Sequence, residues 1–304
     1  MSRRGWLLFG AMGVIWGVPY LMIKVAVGTL TPASVVFWRT VLAALVLVPV
    51  AAWRGQLVPV LRRWLPLLVY TVAELALPWL LLSTAEQRLS SSLTGLLIAA
   101  VPLVGALLGF LGGGDRLGPR RLVGLLIGLG GVACLVGLDL GTRDVPALLE
   151  VCVVTVGYAV GPYVLTRYLS DVPALGVVAA SLGLTAIGYL PVALAQLPRH
   201  VPPARVVGAV LVLAVLCTTI AFLLFFALIE EAGPVRATVI TYINPAVAVA
   251  LGVLLLHEPF TAGIGIGFAL VLAGSVLATR RSPARRGVSP GTVAAPAPAA
   301  VTEH

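Results

Sequence analysis

The chain repeats itself at an offset of 143 residues, and each repeat holds five hydrophobic segments of membrane length. Pro19-Tyr20 recurs as Pro162-Tyr163, Pro102 as Pro245, Gly109 as Gly252, Gly124 as Gly267 and Gly131 as Gly274. Two like-charged pairs keep the same register, Lys24 with Arg167 and Asp115 with Glu258. An odd number of crossings per repeat predicts that the second copy lies in the membrane upside down relative to the first. Two interchangeable halves of that kind give two mirror-related states, open to one side or to the other, which is how many secondary transporters are built.

Composition removes the soluble alternatives. The chain is 60% hydrophobic and 10% charged, a polytopic membrane composition with almost nothing left over for a soluble domain. A net charge of +9 would point to nucleic acid in a soluble protein. Here it reads as basic loops that set orientation. Nineteen of the twenty basic residues are Arg and the other is Lys24. Cys134, Cys152 and Cys217 fall inside apolar segments and read as small core residues, not as a disulfide or zinc framework.

Ten segments reach the length needed to cross roughly 30 Å of hydrocarbon. They are 6–28, 32–53, 64–84, 90–112, 119–139, 145–168, 173–196, 205–229, 234–256 and 260–279. Thr31-Pro32, the Ser90–Ser92 cluster, Pro119 and Gly233-Pro234 supply helix-start chemistry. The first segment follows Ser2-Arg3-Arg4 without a convincing small-residue cleavage site and is read as a retained helix. With the N-terminus inside, fourteen Arg fall on the inner side and four on the outer, which predicts both termini in the cytoplasm. The expectation is an all-α integral membrane protein of the bacterial inner membrane, ten transmembrane helices as two inverted five-helix repeats. Residues 1–140 and 144–281 are the repeats, and 282–304 form a disordered Pro/Ala/Ser-rich tail. Gly124-x-x-x-Gly128 and Gly263-x-x-x-Gly267, last in each half, predict a close structural pairing of helices five and ten.

Several motifs look chemical and are not. Gly112-Gly113-Gly114 has no following Lys-Ser/Thr, and no strand precedes Gly263-Ile-Gly-Ile-Gly267. His200, His257 and His304 lack metal-ligand spacing. Asp115, Asp139, Asp144 and Asp171 sit at segment edges, not paired at membrane depth. No enzyme, metal or cofactor is expected.

Four short stretches carry a family resemblance. Trp16-Gly17-Val18-Pro19-Tyr20 followed by Lys24 opens the first helix, and Phe37-Trp38-Arg39 lies in the second. Helix four carries Pro102 and ends in Gly114-Asp115-Arg116-Leu117; helix nine carries Asn244-Pro245 and ends in His257-Glu258-Pro259-Phe260. In order and spacing these resemble the ten-helix EamA-type members of the drug/metabolite transporter superfamily, over about residues 6–280. The resemblance implies a two-repeat carrier of small organic metabolites, often an exporter. Glu74, in the middle of helix three, departs from the apolar or small residue usual there.

Depth and helical spacing select candidate path residues. At 1.5 Å per residue, Glu74, Trp16 and Asn244 each lie about 15 Å into their helices, at one depth. Transporter sites are expected at that depth. Trp16, Tyr20 and Lys24 form one stripe, as do Tyr70 with Glu74, Thr238 with Tyr242, and Tyr163 with Arg167. Tyr158 joins the aromatics that could stack on a substrate. A midplane carboxylate must face protein or water. Glu74 is therefore either a protonated group bonded between helices, or the residue that binds a substrate ammonium or titrates as the proton-coupling group. Lys24 is either an anchor or the partner of a substrate carboxylate. Arg39 is expected to pair structurally, with Glu150 as candidate partner, and Pro19, Pro102, Pro162 and Pro245 are read as matched hinges. The expected molecule is a monomeric secondary carrier of amino acids or amines in the lipid bilayer, with protons as a candidate coupling ion. The rival readings are an uncoupled facilitator and a non-transporting membrane subunit.

Overall fold

Apolar side chains spaced for helices, with almost no charge to interrupt them, give a bundle of helices and no strand among the described residues. The computed structural model describes residues 2–111, 118–139, 144–198, 200–233 and 237–279, apart from the side chains of 137–139, 238 and 239. Asp115, the Gly112–Gly114 run and the tail 282–304 lie outside them. Nine described helices are long and apolar enough to cross a membrane, and a tenth apolar helix is shorter. In chain order they are α1 (Arg3–Val27), α2 (Pro32–Trp53), α3 (Trp64–Ala85), α4 (Ser91–Leu111) and α5 (Pro119–Asp139). The second set is α6 (Val145–Tyr168), α7 (Ala174–Ala195), α8 (Ala204–Ala232), the shorter α9 (Ile240–Leu256) and α10 (Ala262–Thr279). Outside α9, these limits lie within three residues of those expected from sequence. The side chains of Thr31 and Ser90 cap α2 and α4 as anticipated, accepting from the amides of Ser34 and Leu93. A short helix at Leu57–Leu61, between α2 and α3, stands where only a loop was expected.

Helix pairing follows the repeat. α5 packs on α10, α2 on α7 and α4 on α9, so each of these helices meets its own counterpart. α3 packs on α6, and α8 on α1. The α5–α10 seam confirms the expected pairing, though its glycines are a wider set. A Cβ on Gly274 would fall 2.4 Å from the Gly128 amide and 2.6 Å from the Gly124 carbonyl oxygen. Backbone cannot retreat as a side-chain tip can, so Gly274→Val is expected to destabilise by more than the roughly 1–3 kcal/mol of ordinary overpacking. Thermal unfolding in detergent checks this; an unchanged midpoint would mean that the two backbones are not in contact.

Prolines shape the helices that matter most for the interior. α1 breaks at Trp16–Gly17, just before Pro19, and α4 at Ala99–Ala100, just before Pro102. α9 changes from a 3-10 turn, Thr238–Tyr242, to an α-helix that starts at Asn244-Pro245. Each proline removes a backbone donor and crowds the carbonyl four residues back. The breaks in α4 and α9 are 143 residues apart. α6, in contrast, runs unbroken through Pro162. Pro19 and Pro162 are therefore not matched hinges in form.

Two widened turns also obey the repeat. α3 contains a π-helical stretch at Thr71–Ala76, and α8 one at Val212–Ile220. Moving 143 residues along from 71–76 gives 214–219, inside the second stretch. Pro78 offers no N–H to the Glu74 carbonyl, which favours the slipped register in α3. In α8 the hydroxyls of Thr218 and Thr219 donate to carbonyls five residues back, on Leu213 and Ala214, at 2.7 and 2.9 Å.

Candidate functional site

The breaks and widened turns surround one cavity of about 260 Å³. Trp16, Pro19 and Tyr20 of α1, Arg39 of α2, and Glu74 and Trp79 of α3 line it from the first half. Tyr158 and Pro162 of α6, Cys217 and Phe222 of α8, and Asn244 and Pro245 of α9 line it from the second. Five pairs of lining residues are 143 apart: Pro19 and Pro162, Glu74 and Cys217, Trp79 and Phe222, Ile98 and Thr241, Val101 and Asn244. The cavity thus sits where the two repeats meet.

Glu74 reaches it from the π turn of α3. Gly161 on α6 makes the room, since a Cβ there would fall 2.0 Å from Glu74 Oε2. One turn earlier, a Cβ on Gly157 would strike the Ala73 carbonyl oxygen at 2.4 Å. The Gly157-x-x-x-Gly161 spacing therefore draws α6 against the widened turn. Glu74 Oε2 is buried and has no hydrogen-bond partner among the described residues. A buried carboxyl in that state is an open demand for a proton or a cation.

Arg39 is 6% exposed, too buried to snorkel. Its Nε donates to Thr218 Oγ1 at 2.9 Å, and its guanidinium lies 3.6 Å from the centre of the Trp79 ring. Such a desolvated cation–π contact contributes about 2 kcal/mol. The expected pairing with Glu150 does not form: Glu150 Oε2 is buried without a partner, and its electrostatic neighbour is Arg88. The reason is location, since Arg39 lines the cavity and Glu150 does not. Arg39 and Glu74 form no ion pair with each other among the described residues. The cavity thus presents a carboxyl and a guanidinium separately, between aromatic walls. Trp16 stands 4.8 Å from Phe225 and 6.0 Å from Phe222, ring centre to ring centre.

Of the residues expected to line the path, Glu74, Trp16, Tyr20, Tyr158 and Asn244 do so, and four do not. Lys24 Nζ donates to the carbonyls of Glu86 and Leu89 at 2.6 and 2.7 Å, so its ammonium caps the end of α3 as an anchor. Tyr70 is 4% exposed and packs in the core with Leu47, Leu67 and Leu182. Tyr163 is 61% exposed and meets Tyr168 edge-on, because its face of α6 turns away from the bundle. Tyr242 turns its hydroxyl toward Thr279 Oγ1 of α10, 3.3 Å away, and Thr241 takes the lining position. Asn244 has a structural duty as well. With the amide oriented by its hydrogen-bond partners, its nitrogen donates to the carbonyl oxygens of Gly13 and Ile240, both 3.0 Å away. Pro102 lies outside the lining. Cys217 is buried at the cavity, whereas Cys152 is exposed and not a core residue.

Sequence reasoning missed Trp79 and Phe222 as lining residues. The offset was the signal that could have found them, since they are equivalent positions in the two repeats.

Outside the cavity lining, polar contacts join elements far apart in sequence. Beside the Lys24 clamp, Glu258 accepts from the amides of Ser91 and Ser92 at 2.7 and 2.9 Å and from the Ser92 hydroxyl. His257, at φ 55°, turns the chain out of α9 so that this carboxylate faces the N-terminus of α4.

Comparison with known proteins gives one consistent result. The EamA-like transporter family matches the chain twice, over residues 3–137 and 145–280. A Bacillus subtilis protein named as an uncharacterized transporter, YvbV, is 22% identical over 296 residues, covering 95% of this chain and 96% of that one. An uncharacterized transporter of Archaeoglobus fulgidus is 25% identical over 293 residues, covering 92% and 99%. The Escherichia coli inner membrane transporter YedA, also named as uncharacterized, is 28% identical over 256 residues, 81% of each chain. One protein of known crystal structure shares the fold with a TM-score of 0.66 at 23% identity, covering 92% of this chain and 98% of that one.

Proposed function

The chain belongs to the EamA-like transporter family as a multi-pass inner-membrane protein, and on that premise we propose that it is a secondary carrier of small organic metabolites such as amino acids or amines. In this reading it is an exporter. Residues 1–140 and 144–281 are two inverted repeats with both termini cytoplasmic, and they alternate around the central cavity. The observation that carries the reading is the cavity itself. Residues 143 apart line it in pairs, and Glu74 stands in it with an unpartnered oxygen. A carboxyl so placed binds the ammonium of the solute, or takes up the coupling proton when the solute leaves. Arg39 offers a cationic edge, and Trp16, Tyr20, Trp79 and Tyr158 offer flat apolar surface.

Asymmetry between the ends supports alternation. Lys24 is engaged on carbonyls, while Arg167, its counterpart, is exposed with its guanidinium 5.5 Å from the Tyr168 ring centre. A clamp closed at one end and free at the other fits a carrier held in one of its two states.

The test is uptake of labelled amino acids and amines by purified protein in liposomes, with and without a pH gradient, wild type beside Glu74→Gln. Gradient-driven uptake that the variant loses is expected. Uptake that ignores the gradient and survives in the variant would make the protein a facilitator and Glu74 a structural hydrogen bond.

A further inference from the structure

Glu86 is a second carboxyl with no assigned work. It follows α3 directly, it is fully buried, and neither carboxyl oxygen has a hydrogen-bond partner among the described residues. Its backbone is fully used: its amide donates to the Leu82 carbonyl, and its own carbonyl accepts from Lys24 Nζ. The Lys24 ammonium thus spends two of its three donors on the carbonyls of Glu86 and Leu89 and none on the Glu86 carboxyl. An ionised carboxylate would take that ammonium as its partner, because a buried charge left unpaired costs several kcal/mol. The geometry is that of a neutral acid.

The groups facing Glu86 agree. From α1 come Lys24 and Tyr20, and from the segment after α9 comes Glu258. Arg39 of α2 acts on the same Tyr20, from its place over Trp79. Arg88 follows two residues after Glu86 in sequence, and its own electrostatic neighbour is Glu150 of α6. The Glu258 carboxylate accepts from three donors at the start of α4 and lies near enough to Glu86 to act on it. Burial pushes the Glu86 carboxyl well above the usual carboxylate range; the Lys24 ammonium pulls against this and Glu258 adds to it.

We propose that Glu86 is a proton-binding site that latches the face carrying Lys24, Glu86 and Glu258: closure of that face requires a proton on Glu86, and opening returns the proton to the water of that face. The proposal rests on the alternating-access reading above. It adds a proton site distinct from Glu74, since Glu86 is not among the residues that line the central cavity. The step breaks the carboxyl O–H bond and transfers the proton to water, leaving a hydrated carboxylate. The sign follows from linkage. The closed arrangement holds the proton more tightly than the open, hydrated one. Closure is therefore complete at low pH and is lost as pH rises through the closed-state titration of Glu86. Position 229, the counterpart of Glu86 in the second repeat, is Ile, so the repeat places no carboxyl at the equivalent position.

The experiment is thiol labelling of the full chain in liposomes with a membrane-impermeant reagent added outside. Cys134, Cys152 and Cys217 are replaced by Ser, and Leu82→Cys, one turn below Glu86 on the cavity wall, is the reporter. Thr29→Cys, exposed just beyond α1, counts the molecules that present this face outward. With Glu86 present, reporter labelling relative to that of Thr29→Cys at the same pH, which cancels the thiolate dependence of the reaction, is expected to rise by up to about tenfold per pH unit across the titration. Glu86→Gln should label slowly at every pH. Glu258→Gln, by removing a negative neighbour, should move the midpoint to lower pH; a purely structural loss of the helix cap would raise labelling evenly at all pH. Flat labelling with Glu86 present, an unchanged pH profile in Glu86→Gln, or an unmoved midpoint in Glu258→Gln would overturn the proposal. No solute is needed, so the result is separable from the transport test. Transport through Glu74 with flat labelling sinks the latch alone; pH-dependent labelling without transport keeps the latch and sinks the carrier.

Discussion

Gly161→Ala is expected to abolish most transport while leaving the fold intact, although it keeps every charged residue. The added Cβ would lie 2.0 Å from Glu74 Oε2, 2.9 Å from its carboxyl carbon and 3.0 Å from its Cβ. The nearest of these atoms is the end of a flexible side chain, so the carboxyl swings aside and the helices stay put. What is lost is placement. A desolvated charge contact misplaced or removed costs about 2–5 kcal/mol, so uptake should fall at least about 30-fold, to the level of Glu74→Gln. Gly157→Ala is the contrast. Its Cβ meets the Ala73 carbonyl oxygen at 2.4 Å, an obstacle of backbone, so that variant should lose stability as well as transport. Uptake by Gly161→Ala, read beside its unfolding midpoint, decides the matter. Near wild-type uptake would mean that the carboxyl has no fixed role in the cavity.

Much of this architecture was legible in the sequence, for a physical reason. A membrane-spanning helix must be apolar over its whole length, so composition alone marked helix limits such as 32–53 and 145–168 to the residue. Depth was also legible, because a helix rises evenly; Trp16, Glu74 and Asn244 do meet in one cavity. Rotation about the helix axis was not. In a soluble helix the polar face identifies the outside, but both faces of a membrane helix are apolar. Tyr163 and Tyr158 sit on the same helix, yet one faces outward and the other lines the cavity. Even periodicity failed locally, since the π turns at Thr71–Ala76 and Val212–Ile220 add residues to the turn and rotate everything beyond them. Tyr70 and Glu74, assigned to one stripe, lie at and across such a boundary, and only Glu74 reaches the cavity.

The same duplication explains why the cavity is not symmetric in chemistry. Glu74 and Cys217 hold equivalent positions, and so do Trp79 and Phe222. One repeat supplies the carboxyl and the ring that receives Arg39; the other supplies a thiol and the Thr218 hydroxyl that steadies Arg39. In the proposed carrier, a backbone common to both halves would allow two related states, while divergent side chains would keep a single binding site between them.

Lys24→Met and Arg167→Met are expected to act in opposite directions on the Lys24 face. In the proposed carrier Lys24 holds that face shut through two charged hydrogen bonds, at 2.6 and 2.7 Å, to the carbonyls of Glu86 and Leu89. Each such bond contributes about 1.5–3 kcal/mol, so losing both shifts the closed-to-open ratio by roughly a hundredfold or more. The Leu82→Cys reporter should then label far faster, even at low pH. Arg167 makes no such contact in the present arrangement. Counting 143 residues from Glu86 and Leu89 leads to Ile229 and Ala232, at the end of α8. If the halves exchange roles, Arg167 closes on those carbonyls when the Lys24 face opens. Arg167→Met removes a stabilising contact from that second state alone, so the reporter should label more slowly than in the parent. Both variants lower net uptake, because a carrier must pass through both states in each cycle. Labelling that moves in the same direction for the two variants would show that the positions are ordinary helix anchors and that the repeats do not trade places.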